Sequence, residues 1–144
     1  MNSKAALLLF LRVSTGLLCM IWGLIRIGEP QAGVGVNSKY YGGILATETA
    51  QYMWGAILLS VGLLTILGLF RRMIYPLQTA ILCVGALAIW KYLLDPLGLY
   101  LLTRETSQVL FFPSLGIAAA TLVFIAFRSD DSLSLDVKLG RTQK

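Results

Sequence analysis

An all-α fold, an integral membrane four-helix bundle, is what this sequence predicts, on three observations. Of 144 residues, 57% are hydrophobic and only 13% charged, against roughly a quarter charged in an ordinary soluble domain. The apolar residues gather into four windows, 5–27, 52–70, 74–94 and 108–127, each close to the roughly 20 residues a helix needs to cross a bilayer. None alternates with the two-residue period of a barrel strand, and within hydrocarbon only helices and closed barrels satisfy their own backbone groups. The mean hydropathy of +0.76 agrees, and the length suits one membrane domain over residues 1–144.

The first window carries Lys4 ahead of an apolar run, as a secretion signal does, but Arg12 breaks the run and no small-x-small cleavage site follows. It is therefore expected as a retained span. Arg12 stands about 10 Å into it at the helical rise, where its stem either snorkels to lipid phosphates or finds a partner. Arg12, Gly16, Cys19, Gly23 and Arg26 recur at helical spacing, with Thr15 and Trp22 beside them. Such a small and polar stripe faces other helices rather than lipid.

The second window repeats the pattern with Glu48, Gln51, Gly55, Leu58, Gly62 and Thr65, so the two stripes are expected to pack together. Arg71-Arg72-Met73 then forms a tight connection to the third window, with Pro76 expected in the first turn of that helix. Asp95-Pro96 ends it. The long connection 28–51 holds Gly33, Gly35, Gly42 and Gly43 and is expected to be irregular. The tail 129–144 is polar and is expected to be mobile.

Orientation follows from the cations. With both termini on one side, that side holds Lys4, Arg71, Arg72, Arg128, Lys138, Arg141 and Lys144, and the other holds Arg26, Lys39, Lys91 and Arg104. The excess places both termini in the cytoplasm. The four cations of the outer side meet Glu29, Glu48, Asp95 and Glu105, which predicts paired charges at the outer mouth.

Composition also excludes chemistries. The net charge of +5 comes without a basic cluster beyond Arg71-Arg72, which argues against nucleic acid. No histidine is present, which removes imidazole-ligated haem, zinc or copper and any imidazole-based triad. Cys19 and Cys83 form no C-x-x-C pair and are expected as packing residues. No covalent or metal cofactor is expected. Near the outer interface, Trp90-Lys91-Tyr92 and Gln108, Phe111, Phe112 and Pro113 gather aromatic and polar groups. These form an interfacial belt or, with Trp22 and Arg26, a pocket for a planar headgroup such as a quinone. The candidate ligand-binding residues are Arg12, Trp22, Arg26, Glu48, Gln51, Trp90 and Lys91.

The run RVSTGLLCMIWGLIRIGEP, residues 12–30, resembles the opening helix of the DoxX-like membrane proteins. These typically read R-x-x-x-G, an apolar stretch, G-x-x-K or a close variant, then Pro. Residues 55–65, GAILLSVGLLT, resemble the family's glycine-spaced second helix. Arg12 matches the family arginine and Arg26 stands where lysine is common. Where the family often carries a glutamate, about one turn before the second-helix glycine, this chain has Gln51 instead, with Glu48 a further turn out. The resemblance implies a four-helix bundle in a bacterial inner membrane that serves as a membrane subunit of a quinone-linked redox complex. In that family a related subunit belongs to a thiosulfate:quinone oxidoreductase. Lipid and other membrane subunits are the partners implied. Two alternatives stand beside it: a noncatalytic accessory subunit of a larger respiratory, photosynthetic or transport assembly, and a small oligomeric transporter.

Overall fold

The computed structural model describes residues 3–141 and is helical, with no strand among the described residues. Helix α1 runs Ser3–Gly28, α2 Pro30–Tyr40, α3 Glu48–Leu67, α4 Arg71–Ala88, α5 Trp90–Leu94, α6 Pro113–Ala126 and α7 Leu135–Lys138. Single 3-10 turns at Val109–Phe111 and Arg128–Asp130 precede and follow α6. Among the described residues three segments are long and apolar enough to cross a membrane: Ser3–Gly28, Glu48–Leu67 and Val109–Ala126. The third expected span, 74–94, does not join them. Its helix α4 opens on Arg71 and Arg72, carries Gln78 and stops at Ala88, and the chain turns at Ile89 before α5.

The two glycine stripes meet. Helix α1 buries Arg12, Thr15, Gly16, Cys19 and Gly23, and α3 buries Gln51, Gly55, Leu58, Gly62 and Thr65. The helices run antiparallel with backbone against backbone. A Cβ on Gly62 would lie 2.6 Å from the Gly16 carbonyl oxygen, and one on Gly23 would lie 2.7 Å from that of Gly55. Glycine is what permits this approach, and in lipid such proximity replaces the hydrophobic drive that water supplies elsewhere.

Helix α3 is capped at both ends. Thr47 Oγ1 accepts from the Ala50 N–H at 3.3 Å, Glu48 places a negative charge in the first turn, and Gly68 closes the helix in the left-handed region at φ 67°. The connection to α4 is therefore Gly68–Phe70, and Arg71 and Arg72 belong to the first turn of α4 rather than to the loop. Pro76 lies beyond that first turn, inside α4, where it removes one backbone donor. Helix α4 packs on α6 through Tyr75 and Phe124, ring centroids 4.9 Å apart, and through Thr79, whose hydroxyl donates to the Thr121 carbonyl at 3.2 Å. Gln78, fully buried, ties the middle together: its Oε1 accepts from Thr65 at 3.0 Å and its Nε2 donates to Cys19 Sγ at 3.6 Å.

Two connecting segments depart from expectation. The stretch 28–51 is not irregular throughout, because Pro30 opens α2 with a pre-set φ and the helix lies against both α1 and α3. Gly33 lets it sit directly on the Gln51 side chain. The tail is docked rather than mobile as far as Arg141: Asp131, Ser134 and Asp136 are buried, and the Asp136 N–H donates to the Gly68 carbonyl at 3.2 Å. Residues 142–144 of the expected tail lie outside the described residues.

Asp95 organises the turn after α5. It is almost fully buried and accepts from the N–H groups of Leu99, Tyr100, Leu101 and Leu102 at 2.7–3.0 Å. Burial pushes its carboxyl upward, but the four N–H donors outweigh burial and hold it well below the ordinary carboxylate range. Tyr40, Tyr92 and Phe111 form a mutual edge-to-face cluster, centroids 4.9–5.4 Å apart, that ties α2 to α5 and to the turn before α6.

Two outcomes follow. Gly62→Ala is expected to cost about 1–3 kcal/mol by overpacking, whereas Gly116→Ala, with nothing within 4 Å of its Cβ position, leaves the melting temperature in detergent unchanged; equal effects would contradict the backbone contact. Because the Asp95 carboxyl is depressed in the folded chain, its stabilisation is complete above the ordinary value of about 4 and is lost as pH falls from there toward the depressed value. The difference in melting temperature between the wild type and Asp95→Asn should therefore be constant from pH 5 upward and shrink progressively below about pH 4.

Candidate functional site

Two polar centres occupy opposite ends of α1, 14 residues and so about 21 Å apart at the helical rise. At the far end, Arg26 projects from the last turn of α1 toward the first turns of α3. Its Nη1 donates to Gln51 Oε1 and, at 3.4 Å, to Asn37 Oδ1. Both amides are in turn fixed by the connection between α2 and α3. Gln51 Nε2 donates to the Leu45 carbonyl at 2.5 Å, and Asn37 Nδ2 donates to that of Ile44 at 2.7 Å. Both hydrogen bonds of the guanidinium leave from Nη1, so Nε and Nη2 keep their donors.

Beside this arginine lies a cavity of about 400 Å³ walled by Trp22, Arg26, Tyr41 and Trp54, and closed by Ile81 and Val84 of α4. A second cleft of about 250 Å³ toward α2 shares Trp22, Arg26 and Tyr41 with it. The 400 Å³ of the first falls within the range of small-ligand sites, and its apolar and aromatic walls with few polar groups fit the pattern of such sites. Neither cavity has a carboxylate among its walls. The arrangement can hold a flat apolar body beside the indoles of Trp22 and Trp54 and donate to a carbonyl oxygen; no carboxylate is among its walls.

At the near end, Arg12 is 2% exposed and neither snorkels nor faces lipid. Its Nη1 lies 3.0 Å from both carboxylate oxygens of Asp131, and its Nη2 donates to the Leu133 carbonyl at 3.4 Å. The Tyr75 hydroxyl donates to Asp131 Oδ2 at 2.5 Å. Arg71 donates to the carbonyls of Arg128 and Asp131 at 2.9 and 3.0 Å, and its guanidinium stands 3.9 and 3.8 Å from Asp131 and Asp136. Asp136 Oδ2 also accepts from the Arg71 N–H at 2.9 Å, capping α4. Gly68 makes room for the knot, since a Cβ there would lie 2.5 Å from Arg12 Nη1. Two cations and two carboxylates thus close a neutral, buried assembly.

The structure places Trp22 and Arg26 on the walls of the far cavity, with Gln51 buried behind Arg26 as its hydrogen-bond acceptor. Arg12 belongs to the other end. Glu48 is exposed and accepts from Gln31 Nε2. Trp90 is exposed and Lys91 lies over its ring at 5.8 Å; the turn at Ile89 takes both out of the register of α4 and away from the cavity walls. The outer mouth holds no carboxylate–cation pair within 4 Å among the described residues; the ion pairs are at the near end. Sequence reasoning missed Asn37, Tyr41 and Trp54 at the cavity, and Arg71, Tyr75, Asp131 and Asp136 in the knot. The signal for the knot was present: on the side of the termini only Asp130, Asp131 and Asp136 carry negative charge, so a buried Arg12 had few partners to choose from.

Breaking the knot from one side strands a charge. Arg12→Leu or Asp131→Leu alone is expected to cost about 3–5 kcal/mol, while the paired Arg12→Leu/Asp131→Leu chain recovers most of that loss. Thermal unfolding of the four chains in one detergent checks this, and additive losses would contradict the pairing. Comparison of the chain with protein-family models, with curated proteins and with solved structures finds no match.

Proposed function

We propose that the chain is a quinone-positioning subunit of a membrane redox complex. The observation that carries this is the cavity beside Arg26, where a cation with donors to spare borders an aromatic, apolar space. A quinone supplies two-electron chemistry when bound. For its part, this chain would flank the ring with Trp22 and Trp54 and donate from Arg26 to one ring carbonyl. Gln51 and Asn37 hold the guanidinium in place, and Ile81 and Val84 exclude water from one side. No carboxylate stands among the cavity walls, so in this reading a proton for the ring comes from outside the cavity and the electrons from a partner subunit. The DoxX-like resemblance of residues 12–30 and 55–65 points the same way.

In this reading α4 is a fourth span, making a four-helix bundle in a bacterial inner membrane. It lies between α3 and α6, and its Arg71 and Arg72 sit at the same end as the tail. Arg12 meets Asp131, so the near end of α1 and the segment 128–141 lie at one end of the helices, and the surplus of Lys and Arg there favours the cytoplasm.

Quinone extracted with protein purified in native lipid, and its titration with a short-chain ubiquinone analogue, test the proposal. Trp22→Ala and Arg26→Gln should each weaken binding about 10-fold or more, the effect of losing a charged hydrogen bond or a stacked wall. Lys91→Gln, outside the cavity, should leave it unchanged. Absence of quinone together with equal affinity in all four chains would overturn it.

A further inference from the structure

We propose that the near end of the molecule carries a second site, which binds the phosphate of an anionic lipid headgroup. It is separate from the cavity beside Arg26 and does not depend on what that cavity holds.

The knot accounts for only part of the charge at this end. Asp131 and Asp136 neutralise Arg12 and Arg71. Next to them opens a cleft of about 670 Å³, and three further arginines line it: Arg72 from α4, Arg128 from the turn after α6, and Arg141 from the tail. None of the three has a carboxylate within 4 Å among the described residues; Asp130, on the same turn as Arg128, is not a wall of the cleft, and the carboxylate that is a wall, Asp136, is engaged through Oδ2 with Arg71. Arg141 is held in place by the Phe70 ring, 5.4 Å from its centroid. Arg71, also a wall, is nine-tenths buried and carries a buried Nε without a hydrogen-bond acceptor. Three guanidiniums with no carboxylate partner among the described residues, and the unsatisfied Arg71 Nε, outnumber the single carboxylate wall around this recess and are complementary to a phosphate, which guanidinium binds through paired N–H donors.

Position selects the source of that phosphate. The cleft opens where two candidate spans end, at Leu67 and Ala126, which is headgroup depth in a bilayer. Phe70, Met73 and Phe127 are 51%, 73% and 45% exposed beside the arginines. Cations next to large exposed apolar side chains suit a molecule with a charged head and an acyl tail, not a free anion. Basic recesses between helices at this depth are the usual seats of anionic headgroups.

The test is a titration of the purified full chain in a neutral detergent, read by native mass spectrometry. The ligands are short-chain phosphatidylglycerol, phosphatidylcholine and inorganic phosphate. Phosphatidylglycerol should bind at least about tenfold tighter than phosphatidylcholine. Each of Arg72→Gln, Arg128→Gln and Arg141→Gln should weaken it about fivefold, and the triple variant about 100-fold, at the scale of basic residues near an anionic surface. Retention of the preference by the triple variant would overturn the proposal, as would inorganic phosphate binding as tightly as phosphatidylglycerol, which would mark the cleft as a free-anion site. The single variants decide the question if the triple variant does not fold, and three singles without effect would sink it.

Discussion

The contact of α1 with α3 through four glycines is the constraint on which the rest of the molecule depends. Helices in lipid gain little from burying apolar side chains against one another, so they adhere where their backbones come close. Here Gly16 meets Gly62 and Gly23 meets Gly55, which fixes one antiparallel register. That register brings Arg26 level with Gln51 and Arg12 level with the turn at Gly68. A slip of one helical turn would separate the first pair and drive the second arginine away from the space that Gly68 leaves for it.

The two arginines of α1 illustrate how environment divides one residue type into two roles. Arg12 is met by carboxylates and disappears electrostatically into a neutral knot, whose desolvation is offset by several directed hydrogen bonds. Arg26 is met only by amide oxygens, which orient it without cancelling its charge. The field of the second therefore reaches the aromatic cavity, while that of the first is spent within the protein. Between them the core is polar in a muted way, with Cys19, Thr65 and Gln78 bonded to one another and no ionised group.

Much of this was legible in the sequence because helical spacing in a membrane protein encodes which face is hidden. The stripes Arg12 to Gly23 and Gln51 to Thr65 are the faces that are buried, and the lengths of three apolar windows match helices. Three features were not legible. Helix α2 was obscured by its glycines, which local preference assigns to a loop; Gly33 is there to sit on Gln51, so a tertiary contact decides against propensity. The docked tail was obscured because Asp131 and Asp136 resemble solvent-facing acids until the arginines that need them are seen to be buried. The separation of Trp90 and Lys91 from the cavity depends on a turn at Ile89 that no glycine or proline announces.

The partners of the knot are 119 positions apart along the chain. The first helix is synthesised long before its counter-charge, so Arg12 is without Asp131 until the later part of the chain is made. Only when the end of the chain folds back is the debt of charge closed and the helix allowed to settle. The tail thus acts as a late-arriving lock, and a chain interrupted before Asp131 would leave Arg12 without its counter-charge.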